Sequence, residues 1–157
     1  MAKPVSHIPE GMHTVTPSII VKDPDAAIAL YKQAFGAEEV MCLRAPGGAV
    51  MHAEIKIGDS LIMLSGEWPD HGMKAPADGH TSGGLHVYVT DADKAFERAL
   101  EAGCEVVMPP SDMFWGDRYA KVKDSSGHVW GLATHVEDVP PEECERRAAS
   151  WKPEGCD

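Results

Sequence analysis

The amino-acid sequence predicts an α+β fold made of two tandem βαβββ modules. Three observations predict this fold: one segment occurs twice, each copy is followed by the same order of strands, and a loop-like stretch separates the copies. The chain has 157 residues, of which 43% are hydrophobic and 25% are charged, as in ordinary globular proteins. A chain of this length can bury roughly 68–70% of its unfolded surface, which is enough for a core of its own.

The repeated segment comprises residues 21–41 and residues 89–108. Each copy has a short apolar strand, a turn with two aspartates, an amphipathic helix and a glycine. When Phe35 is omitted, the copies align at identical residues that include Asp23/Asp91, Asp25/Asp93, Ala27/Ala95, Gly36/Gly103 and Met41/Met108. A repeat of this length in a short chain indicates a tandem duplication within one domain.

In the first module, the pattern predicts an opening strand over residues 13–21. A helix of about twelve residues follows, since Asp23 can cap its start and Gly36 can end it. A Val-rich strand comes next. Two further strands, 51–57 and 60–65, are joined by a Gly-Asp turn.

The second module repeats this order. An opening strand over 84–90 leads to a helix that Gly103 ends, and a Val-rich strand follows. Strands 118–124 and 128–135 then flank the turn Ser125-Ser126-Gly127. The stretch between the modules is rich in Gly, Pro and Asp and is predicted to be loop.

These boundaries predict one domain and a tail. The domain covers residues 1–136, and its parts are module one at about 12–66, a linker at 67–83 and module two at about 84–136. Residues 137–157 form a C-terminal tail in which 140–149 are predicted to be helical, because acidic residues come first and arginines later. We expect Trp151 to dock this helix and residues 152–157 to be frayed.

Charge and cysteine usage exclude several classes of protein. The net charge of −11 argues against binding to nucleic acids or anionic membranes, which reward basic patches. No apolar run approaches the ~20 residues of a membrane span, and the first residues lack a signal-peptide core. We therefore expect a cytoplasmic protein. Its cysteines are predicted to be free thiols without a catalytic role: Cys42, Cys104, Cys144 and Cys156.

The twice-repeated βαβββ unit with a glycine-closed helix resembles the vicinal oxygen chelate superfamily, which includes glyoxalase I, bleomycin-resistance proteins and extradiol dioxygenases. The resemblance covers about residues 12–136. The run FWGDRYAKVKDSSGHVWGLATHVEDVPPEE is similar to a branch of small bacterial glyoxalase-like proteins, as are the words Ile28-x-x-Tyr31-x-x-x-Phe35-Gly36-Ala37, Met51-His52-Ala53-Glu54 and Gly58-Asp59-Ser60. The resemblance implies a half-barrel of two curved sheets around a cavity, and a homodimer.

It also implies a test for a metal site. Enzymes of this superfamily hold one divalent metal with His or Gln on the opening strands and Glu on the closing strands, where it acts as a Lewis acid. These positions map to Thr16, Met63, Gly84 and Gly131, and none is a good ligand for such an ion. A shift of one residue in either direction does not restore a ligand set. We therefore expect no metal at the superfamily's site, while a relocated divalent metal stays open.

Strand alternation places a different polar set toward the cavity implied by the resemblance. The set consists of His52, Glu54, His86, Tyr88 and His135, with Tyr119 at the rim. One interpretation is a partly wet ligand pocket in which carboxylates and hydroxyls satisfy the histidines. The other is a relocated metal site or a metal-free acid/base pair, with His86 and Glu54 as the first choice.

The loop over residues 109–118 adds two further candidates for ligand contact. Phe114 and Trp115 could form a stacking wall, and the Asp-x-x-x-x-Asp-Arg run that ends at Arg118 could form a charge clamp at the cavity mouth. The alternative is a Trp115 that plugs the half-barrel while Asp117 and Arg118 pair locally. Both interpretations stay open.

The function predicted from these observations is binding of a small organic molecule, aromatic or polar, without a metal. The alternative is a metal-dependent lyase, isomerase or dioxygenase with ligands among His52, Glu54, His86 and His135. A third possibility is a dimeric scaffold without chemistry.

Overall fold

The computed structural model describes residues 5–151. The chain forms two compact units. The first extends to Thr81 and also takes in the turn Ser125–Gly127, and the second comprises the rest of the chain from Ser82. Each unit carries a four-stranded mixed sheet and a helix that connects its first two strands. The predicted α+β class is confirmed.

The first unit follows the predicted βαβββ order. Its elements are β1 (Ser18–Val21), α1 (Pro24–Phe35), β2 (Glu38–Arg44), β3 (Val50–Ile57) and β4 (Ser60–Gly66). The strand order in the sheet is β1-β4-β3-β2. β1 runs parallel to β4, and the other neighbours are antiparallel.

The second unit repeats this topology and adds the tail. Its elements are β5 (Gly84–Tyr88), α2 (Ala92–Glu101), β6 (Glu105–Asp112), β7 (Asp117–Lys123), β8 (Val129–His135) and α3 (Pro141–Ser150). The order β5-β8-β7-β6 matches that of the first sheet, with β5 parallel to β8.

The first two helices begin where the sequence predicts. The Asp23 carboxylate accepts a hydrogen bond from the Ala26 amide, and the Asp91 carboxylate accepts one from the Lys94 amide, both at 3.0 Å. Each satisfies an amide that the first helical turn leaves without a backbone partner. Gly36 closes α1 in the left-handed conformation, with φ of 68°.

The two faces of the second sheet differ in character. Arg118 on β7 reaches Asp93 on α2, so residues 118, 120 and 122 face that helix. The residues on this face are buried, including Ala120, Val122, Trp130 and Leu132. The alternate residues of β5, β7 and β8 therefore point to the opposite face. We call it the open face.

The opening strand of the first module is shorter than predicted, because β1 begins at Ser18 rather than at residue 13. Pro17 has no amide hydrogen to donate to a ladder. The Thr16 hydroxyl donates to the His13 carbonyl at 2.9 Å, which holds this segment in a local turn. The linker between the two modules, predicted to be loop, contains a 3₁₀ turn at Pro69–His71.

The tail helix, Pro141–Ser150, lies within one residue of the predicted range 140–149. The Trp151 ring docks at 5.5 Å from the ring of Phe114. Cys42, Cys104 and Cys144 are free thiols, and burial raises the pKa of Cys104 to about 11. Cys156 and the expected fraying of 152–157 lie outside the described residues. Within 5–151, none of the helices has the length and apolar character to cross a membrane.

Candidate functional site

Four aromatic side chains gather on one side of the second unit. The His86 ring lies 4.8 Å from the ring of Tyr88 and stacks on Tyr119 at 5.2 Å, with an angle of 20° between the planes. The Trp115 ring meets the edge of Tyr119 at 5.9 Å. We call His86, Tyr88, Trp115 and Tyr119 the aromatic surface. All four were predicted as ligand contacts from the sequence, and the structure brings them together.

The register of the sheet explains why these rings meet. His86 on β5 pairs with Gly131 on β8, and Gly131 pairs with Lys121 on β7. A side chain at 131 would stand between the flanking strands. A Cβ there would lie 2.7 Å from the Tyr119 hydroxyl and 3.2 Å from His86 Nδ1. The missing side chain of Gly131 therefore creates the space in which the two rings stack.

The buried carboxylate of Asp117 holds parts of the aromatic surface in place by hydrogen bonds. Asp117 is only 3% exposed, and it accepts hydrogen bonds from the indole nitrogen of Trp115 at 3.0 Å and from the Tyr88 hydroxyl at 3.4 Å. Its other oxygen contacts His135 Nδ1 at 2.9 Å. A buried charge is tolerated when donors surround it in this way. Asp117 therefore fixes the orientation of two rings and one imidazole.

His135 lies between two carboxylates. Its Nδ1 faces Asp117, and its Nε2 lies 2.8 Å from an oxygen of Asp138. Both ring nitrogens can donate only when the imidazole is protonated. The hydrogen bonds to Asp138 and Asp117 accordingly raise the pKa of His135. The protonated imidazole is therefore the form that satisfies both carboxylates at once.

The loop that carries Phe114 and Trp115 is held by the start of the tail. The amides of Val136 and Glu137 donate to the Gly116 carbonyl at 2.9 and 3.0 Å. Gly116 has φ of 101°, and a Cβ on it would lie 2.1 Å from the Glu137 carbonyl oxygen. Only glycine fits this close approach. The position of the Trp115 ring thus depends on a backbone contact behind it.

Arg118 lies apart from the aromatic surface. Its guanidinium binds the Asp93 carboxylate through two hydrogen bonds of 2.9 and 2.7 Å, and it also contacts Asp112 at 3.3 Å. The contact with Asp112 joins two members of the predicted charge clamp, but it lies on the α2 side of the sheet. The alternative interpretation, in which Asp117 and Arg118 pair with each other, is not what the structure shows. Each of the two side chains binds other partners instead.

The remaining predicted polar residues lie in the first unit. His52 and Glu54 follow each other on one face of β3, with His52 Nε2 3.4 Å from a Glu54 oxygen. Both side chains are partly exposed. The pair His86 and Glu54 combines residues of different units, and it stays a prediction.

The donor set at the superfamily's metal positions does not suit a divalent ion. Thr16 is engaged with the His13 carbonyl, and Met63 offers only a thioether. Gly84 and Gly131 have no donor side chains, and the rings of Tyr119 and His86 fill the space beside Gly131. Over residues 5–151, three or more His, Cys, Asp or Glu side chains nowhere form a group that could hold a metal ion.

Comparison with known proteins decides the family. Residues 11–132 match the model of the Glyoxalase/Bleomycin resistance protein/Dioxygenase superfamily. The chain belongs to this superfamily. An uncharacterized protein of Mycobacterium bovis is 36% identical over 140 residues, which are 87% of this chain and 92% of that protein. An uncharacterized protein of Mycobacterium tuberculosis is also 36% identical over 140 residues, which cover 82% of its length.

Solved structures of the superfamily share the fold. TioX from Micromonospora sp. ML1 is 29% identical, with a TM-score of 0.63 over 79% of this chain and 99% of that chain. A variant of FosX from Listeria monocytogenes, in complex with Mn(II) and 1S,2S-dihydroxypropylphosphonic acid, is 20% identical. Its TM-score is 0.59 over 94% of this chain and 99% of that chain. At that identity, the likeness concerns the fold alone.

Asp117 and Asp138 are the residues of the candidate site that the sequence did not point to. The sequence pattern predicts Asp117 only as part of a charge clamp or as a local partner of Arg118. Its alternation with Tyr119 along β7 was a signal that its side chain lies on the open face. No pattern in the sequence indicates that Asp138 would reach His135, because it lies in an irregular segment after β8.

Proposed function

We propose that this member of the superfamily binds a small organic molecule on the aromatic surface and does so without a resident metal. The observation that carries the proposal is a set of partly exposed rings whose orientation is fixed by a buried, fully hydrogen-bonded Asp117. Such preorganisation lowers the entropy cost of binding, because the rings need not be ordered by the ligand.

The exposure of Tyr88 supports a binding role. This residue is 65% exposed although its ring could bury a large apolar area. A planar ligand laid against His86 and Tyr88 would remove that area from water. Ligand sites combine such apolar walls with a few polar groups. The His86 ring nitrogens and the Tyr88 hydroxyl would supply those groups.

The chemistry of the donors supports binding without a metal. A soft thioether, a locally bonded hydroxyl and two glycines stand where the superfamily places its ligands. The alternative, an enzyme with a relocated metal among His52, Glu54, His86 and His135, requires a tightly held ion. Metal analysis of the purified protein therefore separates the two functions. We also propose, as the sequence predicts, that the chain forms a homodimer and is located in the cytoplasm.

The test uses the full chain, purified without a His-tag, and a panel of aromatic acids, amides and amines followed by tryptophan fluorescence and calorimetry. We expect at least one compound to bind equally well with and without EDTA. Tyr88→Ala should weaken that binding by about tenfold, since a ring contact contributes about 0.5–1.5 kcal/mol beyond the area it buries. The matched control is Trp68→Ala, which removes a ring of the first unit that is 53% exposed.

Three results would overturn the proposal. The first is that no compound of the panel binds. The second is that Tyr88→Ala binds as tightly as the original chain, or that Trp68→Ala weakens binding as much as Tyr88→Ala. The third is about one tightly held metal per chain whose removal abolishes binding, which would favour the enzyme with a relocated site.

A further inference from the structure

Lys121 is the one lysine of the open face of β7 whose charge has no carboxylate beside it among the described residues. Its neighbours across the ladder are Met108 on β6 and Gly131 on β8, and neither is acidic. Its ammonium lies over the Tyr119 ring, with Nζ 5.7 Å from the ring centroid. A positive charge thus stands at the margin of the aromatic surface.

The other charges of β7 on this face are already matched. Lys123 pairs with Glu105 at 2.8 Å. The Asp117 carboxylate is enclosed by Trp115, Tyr88 and His135. Lys121 therefore differs from its neighbours in that its three N–H donors are available to an incoming group.

The spacing of the strands limits the size of a molecule that could contact both the aromatic surface and the Lys121 ammonium. His86, Gly131 and Lys121 form one row across three neighbouring strands. Adjacent strands lie about 4.8 Å apart, so the backbones at His86 and Lys121 are separated by about 10 Å. Their side chains both rise from the open face. A ligand that stacks on His86 and reaches the Lys121 ammonium has the dimensions of a fused bicyclic ring with one substituent.

We propose that the ligand is an aromatic anion: its planar ring lies on His86 and Tyr88, and its carboxylate or equivalent anionic group binds Lys121. This inference rests on the proposed function and specifies its ligand class. A charge-assisted hydrogen bond is roughly twice as strong as a neutral one. The chain as a whole carries a net charge of −11 and repels anions. Selectivity for an anion must therefore come from a local cation.

The experiment compares two ligands that differ only in charge, 2-naphthoate and 2-naphthamide, at about 0.15 M salt, where the Debye length is ~8 Å. Calorimetry on the full chain gives both dissociation constants. We expect 2-naphthoate to bind on the order of tenfold more tightly. Lys121→Gln should abolish this preference and leave the affinity for 2-naphthamide within about twofold. The matched control is Lys123→Gln, which removes the neighbouring lysine and should keep the preference.

The outcomes distinguish this inference from the proposed function. Equal affinity for the two ligands, a preference for the amide, or a preference that survives Lys121→Gln would overturn the anion assignment while binding itself still stands. The assignment also fails if Lys123→Gln abolishes the preference as fully as Lys121→Gln, because the charge effect would then be general. Absence of binding by either compound, together with no binding in the wider panel, would remove the proposed function as well.

Discussion

Gly131 shapes the site because it has no side chain. The resemblance to the superfamily maps a metal-ligating Glu onto this position, and here the rings of Tyr119 and His86 take up the space. The absence of a side chain at Gly131 thus leaves room for an aromatic wall. The residues that form the wall come from the two strands that flank β8.

Gly131→Ala should disturb binding more than folding. The new Cβ would lie 2.7 Å from the Tyr119 hydroxyl and 2.8 Å from its ring, so the ring must shift. We expect a cost of about 1 kcal/mol in the free energy of unfolding, as for mild overpacking. The stack with His86 should be lost, and aromatic ligands should bind severalfold more weakly. Urea unfolding and calorimetry measure the two effects.

The control for this substitution is Gly83→Ala, since a Cβ on Gly83 would meet no heavy atom within 4 Å. It should leave both quantities near those of the original chain. An unchanged affinity in Gly131→Ala would show that the stacked rings are not part of the binding surface.

At the scale of elements, the loop between β6 and β7 depends on the segment that follows β8. Gly116 lies against the Glu137 carbonyl, and Glu137 also binds Arg147 on α3 with hydrogen bonds of 2.8 and 2.7 Å. The aromatic loop, the segment after β8 and the tail helix therefore form one connected support behind Trp115.

Gly116→Ala should destabilise this support strongly. A Cβ would approach the Glu137 carbonyl oxygen to 2.1 Å and would also force alanine to adopt φ of 101°. We expect a loss of about 2–4 kcal/mol in the free energy of unfolding, from backbone strain and overpacking together. The protein should also lose the near-ultraviolet circular dichroism of Trp115, because the loop must move.

Gly48→Ala is the control that separates backbone strain from overpacking. Gly48 also has a positive φ, 89°, but its Cβ would meet nothing within 4 Å. It should cost only the left-handed backbone penalty, roughly 1–2 kcal/mol. If Gly116→Ala costs no more than Gly48→Ala, the close approach to Glu137 does not hold the loop.

The elements themselves were largely predictable from the sequence, and the site only in part. Asp23 and Asp91 cap helices by local chemistry, and the period of two in β7 places Tyr119 on the open face. The opening strand was predicted too long, because the local turn between His13 and Thr16 competes with the ladder. The contact between Asp117 and His135 depends on strand register over long separations, which the pattern of one strand does not contain.

At the scale of the whole molecule, stability should depend on the protonation of His135. Contacts with Asp138 and Asp117 raise the pKa of this residue above its unfolded value of about 6.5. The folded state therefore binds the proton more tightly than the unfolded state does. This stabilisation is fully present below about pH 6.5 and is lost as the pH rises through the folded pKa of His135.

The measurement compares the Tm of the original chain with that of His135→Gln at about pH 5.5 and about pH 9, which lie below and well above the unfolded pKa of histidine. We expect a larger Tm difference at the lower pH. Asp138→Asn should lower the pKa of His135, followed by NMR, because it removes the stronger of the two hydrogen-bonding partners. A Tm difference that stays the same or grows toward pH 9 would contradict the assignment.

The two helices are tied to their sheets by ion pairs that differ between the modules. Asp25 on α1 binds Arg44 on β2, while Asp93 on α2 binds Arg118 on β7. The aspartates occupy equivalent places in the repeat, but the arginines lie on strands that do not correspond. Arg44 lies on an edge strand of its sheet, whereas Arg118 lies on an inner strand. The aspartate thus belongs to the repeat, while the arginine that anchors each helix is particular to its own module.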